Sequence, residues 1–324
     1  MREKQIHIND DLQESLSSIQ KNVPKELLKR SSLNHLLYDA IVDNAVIFLC
    51  CLLFIHSILI VQIICVIIIS SRLHSFGVIV HELTHLPMNT KGIKIRLIEI
   101  LAAYPIAITI NAMRYNHLRH HKDSCMETDP YFHHFDNYDQ KNVIFKVLYV
   151  SIGIILIPSW IIRGFFGILC LFSEKLRIVY ARIFMEHKLE INRSDLKEIF
   201  QCCKEDIFQS IYFTVIISIL IIFPSFIDYF IYLYIIPICI LGILAYYRLM
   251  KEHIYVKVYD RESNTIFKTT RDHNITSWLR FILAPRNIGY HTIHHLHPQV
   301  GYRYLPRLRD YYKENFPEKY NQLD

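Results

Sequence analysis

Charged side chains are scarce in this sequence. They account for 20% of its 324 residues, whereas hydrophobic residues account for 52%, and the mean hydropathy is +0.20. The apolar residues also come in long blocks rather than at the spacing of an amphipathic helix. This balance excludes an ordinary soluble protein. The net charge of +6 comes from basic residues spread over several segments, which argues against a nucleic-acid surface and favours contact with an anionic membrane.

The sequence also lacks a CxxC motif, and we do not expect a removable signal peptide. Cys50–Cys51 and Cys202–Cys203 are adjacent pairs that cannot easily bridge, and several other cysteines lie in apolar runs. We therefore expect reduced thiols, which suit a protein that faces a reducing cytosol. The N-terminal segment is polar and has no apolar stretch before a small-residue cleavage site, so no signal peptide is predicted.

Two long apolar hairpins are predicted. Residues 36–55 and 58–80 form the first around a turn at 56–57, because the apolar stretch is too long for one span of about 20 residues. Residues 207–223 and 229–247 form the second, joined by PSFID at 224–228. Neither turn contains Lys or Arg, whereas basic residues flank the other ends of both hairpins. Those ends are therefore predicted to be cytosolic.

The remaining apolar segments are harder to assign. Residues 96–112 are predicted to be a re-entrant or interfacial helix, and residues 305–316 a docked helix. Residues 143–172 are predicted to be an interfacial helix pair, because Lys146 and Arg163 would be costly in lipid. The predicted fold is all-α, with about four transmembrane helices in two hairpins and a cytosolic helical cap. We divide the chain into a polar N-terminal segment (1–35), a membrane domain (36–316) and a C-terminal tail (317–324).

Histidines form three clusters with regular spacing. These are HELTH with His81 and His85, HLRHH with His117, His120 and His121, and HTIHH with His291, His294 and His295. On a helix, positions i, i+3 and i+4 share a face, while adjacent residues are about 100° apart and can face two different ions. Eight imidazoles exceed what one tetrahedral zinc can use, and imidazole also suits iron. The spacing therefore predicts a dinuclear metal centre.

Other interpretations of these clusters are open. Any single histidine could be an ordinary surface or core residue, and a non-catalytic protein could store metal. HELTH is also the HExxH signature of zinc proteases, with two histidine ligands and a glutamate base. That enzyme would need one further ligand and would leave both HxxHH clusters unused.

The three clusters, interleaved with two apolar hairpins, resemble those of the membrane fatty acid desaturase superfamily of non-haem diiron enzymes. The resemblance covers about residues 36–316, including METDPY at 126–131 and the stretch at 284–308 around the third cluster. It implies two iron ions, O2 as co-substrate, and electrons from an external donor. It also implies that the eight clustered histidines are ligands and that His253, after the last span, is a ninth. The third cluster departs from bacterial relatives at Gly289 and Ile293, where Asn and Glu are common.

From this resemblance we expect an O2-dependent desaturase that introduces a double bond into an acyl chain. A lipid or carotenoid hydroxylase or ketolase of the same superfamily is the alternative. The expected partners are a lipid or fatty acyl substrate, the membrane, and a ferredoxin or small cytochrome, without nucleic acid. We expect a multi-pass membrane protein whose active site faces the cytosol. The expected membrane is the bacterial inner membrane rather than the endoplasmic reticulum.

Several polar residues are candidates to support the site. Metal-bound imidazoles commonly donate their second N–H to a carboxylate or carbonyl, which makes Glu82, Asp129, Asp272 and Asn287 candidates. Four arginines could meet a charged lipid head or simply be solvated: Arg280, Arg286, Arg303 and Arg307. The histidines that we expect not to be ligands are His7, His35, His56, His74, His133, His134, His187, His273 and His297.

Overall fold

The computed structural model describes residues 22–88, 90–131, 141–254, 256–260, 262–273, 275 and 277–320. Within these ranges the regular elements are helices, which confirms the predicted all-α fold. In chain order they are α1 Leu33–Ile55, α2 Leu59–Thr84, α3 Ile93–Ile98, α4 Ile110–Asp123, α5 Val143–Cys170, α6 Glu174–Phe184, α7 Arg193–Ile222, α8 Pro224–Glu252, α9 Ser263–Thr269, α10 Ser277–Leu283, α11 His291–Leu296, α12 Leu305–Asn315 and α13 Pro317–Tyr320.

Helices α1 and α2 form the first predicted hairpin. The Ser32 hydroxyl accepts a hydrogen bond from the His35 backbone N–H and so caps the start of α1. Helix α1 ends at Ile55, and α2 starts at Leu59, which confirms the predicted turn at 56–57. The second half of α2 is almost entirely buried, because α4, α8 and the segment around α10 pack against it.

Five helices are long and apolar enough to cross a membrane by length and composition: α1, α2, α5, α7 and α8. This is one more than the predicted four, and the additional helix is α5. It consists of Val143–Ser151 and Gly153–Cys170, separated by a single residue. The costly Arg163 is buried and paired, because its guanidinium lies 3.2 Å from Asp206 and donates to Gln209 at 2.8 Å. Together these apolar helices make the chain an integral membrane protein.

The chain between α2 and α4 folds back on itself. Helix α3 continues through a π turn at Glu99–Ala103 and a 3-10 turn at Tyr104–Ile106. It then reverses at Ala107, which has a left-handed φ of 56°. Helix α4 begins at Ile110 and runs beside the end of α2, where Arg114 donates to the carbonyls of Leu83 and Thr84. This reversal brings the second histidine cluster next to the first.

The C-terminal helices close the structure beside α2 and α8. Helix α12 matches the predicted docked helix and buries Leu305, Leu308 and Tyr312. Tyr320 of α13 is also buried and packs against the Phe267 ring of α9. These contacts surround α11, which carries the third histidine cluster.

Candidate metal centre

The clustered histidines assemble into two adjacent groups. In the first group the ligand atoms of five histidines lie within 4.8 Å of one another, and in the second group those of four do. The first group contains His81, His85, His117, His121 and His294. The second group contains His120, His253, His291 and His295. The nine residues named from the sequence are thus all brought together, although they come from α2, α4, α11 and the end of α8.

Each HxxHH cluster contributes to both groups. His117 and His121 lie one turn apart on α4 and face the first group, whereas His120 faces the second. On α11 the division is reversed, with His294 in the first group and His291 and His295 in the second. Adjacent histidines therefore point to different groups, as the angle between neighbours on a helix requires.

Ring nitrogens converge inside each group. The Nε2 atoms of His85 and His117, of His117 and His121, and of His121 and His294 are each 2.9 Å apart. In the second group, His253 Nε2 lies 3.2 Å from His120 Nε2 and 2.8 Å from His291 Nε2. Ligand nitrogens in adjacent positions around an ion at about 2.0–2.1 Å are separated by about 2.9–3.4 Å. The separations therefore fit nitrogens that share a cation.

The protonation states fit metal binding as well. Burial, reinforced by the neighbouring imidazoles, holds the pKa values of His117, His121, His294 and His295 well below the usual value. Burial and the nearby Arg114 lower the pKa of His85 to about 4. These rings are therefore neutral near pH 7 and have a lone pair for a metal. The His81 Nδ1 atom is buried without a hydrogen-bond partner among the described residues, which fits a ring nitrogen that would bind a cation.

Asp129 orients His120 in the second group. Its carboxylate lies 3.0 Å from His120 Nδ1 and also accepts the backbone N–H groups of Cys125 and Tyr131. Burial alone would raise the pKa of Asp129, but the His120 ring and the backbone donors hold it below its usual value. A carboxylate on the far nitrogen fixes the tautomer of an imidazole ligand. Of the four residues that the sequence suggested as partners of a histidine ring, Asp129 alone contacts a ring nitrogen of one of the nine histidines.

Glu252, at the end of α8, places its carboxylate beside His291. Its carboxylate lies 3.4 Å from His291 Nδ1 and 3.2 Å from His273 Nε2. Arg248 holds the same carboxylate with bonds of 2.7 and 3.0 Å, and its guanidinium also lies 3.1 Å from His74 Nε2. Sequence analysis missed Glu252 and Arg248. Their i,i+4 spacing in the last turns of an apolar helix, just before His253, is the signal that could have found them.

The other three sequence candidates bond elsewhere. Glu82 accepts from the Tyr302 backbone N–H at 3.4 Å, and Asn287 donates to the Tyr302 carbonyl. Asp272 accepts the Thr292 backbone N–H at 2.9 Å. Asp272 thus supports the first turn of α11 without touching a ligand ring.

The arginines considered for a lipid head are largely engaged inside the protein. Arg286 bonds Asp43 at 2.7 Å and Asp39 at 2.9 Å, and Arg303 bonds Asp39 at 2.6 Å. Arg280 donates to the Tyr290 hydroxyl. Solvated charge is therefore the wrong interpretation for Arg286, which joins the loop before α11 to α1. Arg307 is exposed.

The remaining histidines lie outside both groups. His187 bonds the Tyr115 hydroxyl and His297 the Tyr312 hydroxyl, while His35 and His56 are exposed. His74 and His273 belong to the polar chain around Arg248 and Glu252. His7, His133 and His134 fall outside the residues that the structure describes.

A cavity of about 440 Å³ lies at the histidine-bearing end of α2, between α3, α4 and α7, and none of the nine histidines lines it. Leu83 and Leu86, which flank the last turn of α2 around His85, form part of its wall. Arg114, one turn before His117 on α4, and the half-buried Glu205 of α7 line another side. The cavity thus offers both apolar and charged surface near the histidines.

Comparison with known proteins agrees with this geometry. A family model described as fatty acid desaturase matches residues 47–323 of the chain. The matched region contains all nine histidines of the two groups and most of the helices. No curated protein matches the chain. Since the family model covers well over half of the sequence, the chain belongs to the fatty acid desaturase family.

Proposed function

We propose that the chain is a membrane-bound, O2-dependent non-haem diiron desaturase that introduces a double bond into an acyl chain. The observation that carries the proposal is the pair of adjacent imidazole groups, built from all three histidine clusters and His253. Family membership supports an oxidoreductase of this kind.

The nine histidines are the proposed ligands of two iron ions. The five of the first group would hold one ion and the four of the second group the other. With O2, two electrons and two protons, bound iron would supply the oxidising power to convert two neighbouring methylene groups into an alkene, releasing two waters. Such C–H bonds are beyond side-chain acids and bases, so this chemistry belongs to the cofactor.

The protein's own residues keep the site ordered and poor in water. The nine imidazoles are buried or half-buried, which limits contact with bulk solvent. The Asp129 carboxylate accepts from the His120 ring and so fixes its orientation, and the Glu252 carboxylate lies 3.4 Å from His291 Nδ1. A fixed set of ligands would hold the metal ions in one place, and the position of the substrate carbon relative to them would decide between desaturation and oxygen insertion.

The proposed substrate is the acyl chain of a lipid or fatty acid. The histidine groups lie at the ends of the apolar helices, where a molecule with an apolar tail and a polar head is itself positioned in a bilayer. The cavity beside His85 is a candidate entrance for it. Electrons would come from a ferredoxin or small cytochrome in trans. We propose that the site faces the cytosol and that the membrane is a bacterial inner membrane rather than the endoplasmic reticulum.

The test is lipid analysis of a host with and without the chain. We expect new alkenes in the acyl chains with the unchanged sequence, and none with His120→Ala. His56→Ala is the matched control, because His56 lies in the exposed turn between α1 and α2, and this variant should retain activity. Unchanged lipids with a folded, iron-loaded protein would contradict the proposal.

Two alternatives make different products. A hydroxylase or ketolase of the same family would give alcohols or ketones in place of alkenes. A zinc protease would hold one zinc and would need Glu82 beside the metal, yet Glu82 bonds the Tyr302 backbone. Metal analysis separates the two classes, since about two irons per chain support the diiron enzyme and a single zinc supports the protease.

A further inference from the structure

Helix α10 is bound to α2 well before the histidine-bearing end of α2. The Ser71 hydroxyl donates to the Phe281 carbonyl at 2.7 Å, and the Arg72 guanidinium donates to the same carbonyl at 3.1 Å. The Arg72 guanidinium also lies 3.7 Å from the centre of the Phe281 ring. His74 Nδ1 lies 3.3 Å from the Ile282 carbonyl. Helix α10 therefore lies beside residues 71–74 of α2, at the same depth along the α2 axis.

Residues 71–74 of α2 lie beside a part of α1 that faces lipid. Asp43 of α1 accepts from Arg72 at 3.1 Å and from Ser75 at 2.6 Å, so the two helices are level there. At the same level α1 exposes Ile41 by 51% and Val42 by 36%. Because α1 and α2 form an apolar hairpin of membrane-spanning length, these side chains face acyl chains.

Helix α10 turns large aromatic side chains outward at this level. Trp278 is 70% exposed and Phe281 is 47% exposed, although both are bulky and apolar. The one charged side chain of the helix turns inward, since Arg280 donates to the Tyr290 hydroxyl at 2.6 Å. Aromatic residues of this kind are enriched where the headgroups of a bilayer meet the acyl chains.

We infer that α10 is an interfacial membrane helix whose Trp278 and Phe281 side chains insert into the leaflet on the histidine side. The occupant of this surface is the phospholipid bilayer itself. Through Arg280 and Tyr290 the helix is tied to the residue before His291, so the third histidine cluster is anchored to the lipid surface as well as to the protein core. The inference concerns a segment outside the membrane-spanning helices and does not depend on the reaction that the chain catalyses.

Tryptophan fluorescence tests the inference directly. The chain has two tryptophans, so Trp160→Phe leaves Trp278 as the only one in the full-length protein. This variant is reconstituted in phosphatidylcholine vesicles with or without acyl chains brominated near their carbonyl end. We expect the brominated lipid to remove most of the Trp278 emission and water-soluble iodide to remove little. The Trp278→Phe variant gives the emission and quenching of Trp160 alone. The chain with both substitutions gives the background emission of the tyrosines.

The reverse result overturns the inference: strong quenching by iodide with little by brominated lipid means that Trp278 faces water. A nitroxide spin label on Trp278→Cys gives a second measurement, in which Trp160 stays in place. We expect this label to collide more often with O2, which is enriched in lipid, than with a water-soluble nickel chelate. A label on Ile41→Cys, which faces lipid, should behave in the same way. A label that behaves like one on the exposed Glu314→Cys also overturns the inference. Labelling of the unsubstituted chain gives the background from native cysteines.

Discussion

At the scale of single residues, two carboxylates hold the second histidine group in place. Asp129 lies against His120, and its own oxygens are fixed by two backbone N–H groups. Glu252 lies against His291 and is fixed by Arg248. An imidazole whose far nitrogen is bonded presents its other nitrogen in one orientation and one tautomer. The position of the His120 ring and the charge beside His291 therefore depend on residues outside the two histidine groups.

Asp129→Asn tests this dependence. The amide preserves the size of the side chain but removes the negative charge that faces His120 Nδ1. We expect metal affinity or activity to fall by about 10- to 100-fold, the usual cost of losing such a partner. The measurement is iron per purified chain as a function of free iron, alongside product formation in membranes.

Asp310→Asn is the matched control, because the Asp310 carboxylate is 64% exposed and lies beside Arg309, at 4.0 Å, rather than against a histidine. We expect this variant to bind iron as the unchanged chain does. Equal iron binding by both variants would mean that Asp129 does not orient His120.

At the scale of helices, close packing around α5 organises the helices that lead to the site. Gly153 of α5 meets Gly242 of α8 backbone to backbone, and a Cβ at Gly242 would lie 1.9 Å from the Gly153 carbonyl oxygen. Farther along α5, Gly167 packs on Asp206 of α7. Glycine is required at such crossings because any side chain would push the two backbones apart.

Gly242→Ala should therefore destabilise the protein. Alanine favours a helix by about 1 kcal/mol over glycine, but the clash with a backbone atom cannot be relieved by a side-chain rotation. We expect a net loss of about 1–3 kcal/mol, the usual cost of overpacking. The measurement is the thermal unfolding midpoint of the protein in detergent.

Gly77→Ala on α2 is the control, since the nearest atom to its new Cβ, in the Ile106 side chain, is 3.9 Å away. Its midpoint should stay the same or rise. If the two alanine variants unfold at the same temperature, the α5–α8 contact is not a tight crossing.

At the scale of the whole molecule, the histidine groups restrict how the chain crosses the membrane. Both groups combine residues of α4, before α5, with residues of α11, after α8. The number of crossings among α5, α7 and α8 must therefore be even. Helix α5 contacts α8 near Tyr246 and α7 near Asp206, so both of its halves lie against the histidine-side portions of their neighbours. We propose that α7 and α8 cross and that α5 does not.

Cysteine labelling tests this topology. Ser57→Cys and Ser225→Cys place thiols in the two hairpin turns, whereas Glu190→Cys places one in the exposed segment between α6 and α7. We expect a membrane-impermeant thiol reagent to label the first two in intact cells and the third only after permeabilisation. The unsubstituted chain corrects for its own thiols, most of which are buried. Labelling of position 190 in intact cells would show that α5 crosses the membrane.

Local sequence is sufficient to predict the apolar hairpins, the helical class and the identity of the eight clustered histidines, whereas His253 was named from the family resemblance. These are local properties: the length of an apolar run sets a span, and HxxHH spacing on a helix sets which imidazoles share a face. Even the separation of adjacent histidines between two groups follows from the angle between neighbouring side chains.

Only the tertiary structure decided which carboxylates serve the site and where the arginines go. Glu252 reaches His291, and Asp39 and Asp43 hold Arg286 and Arg303, across separations of 39 to more than 240 positions in sequence. The left-handed backbone at Ala107, which turns α4 against α2, likewise has no local signal in an alanine. Such contacts depend on how whole helices pack, because a buried charge takes whichever partner the assembled core brings within reach.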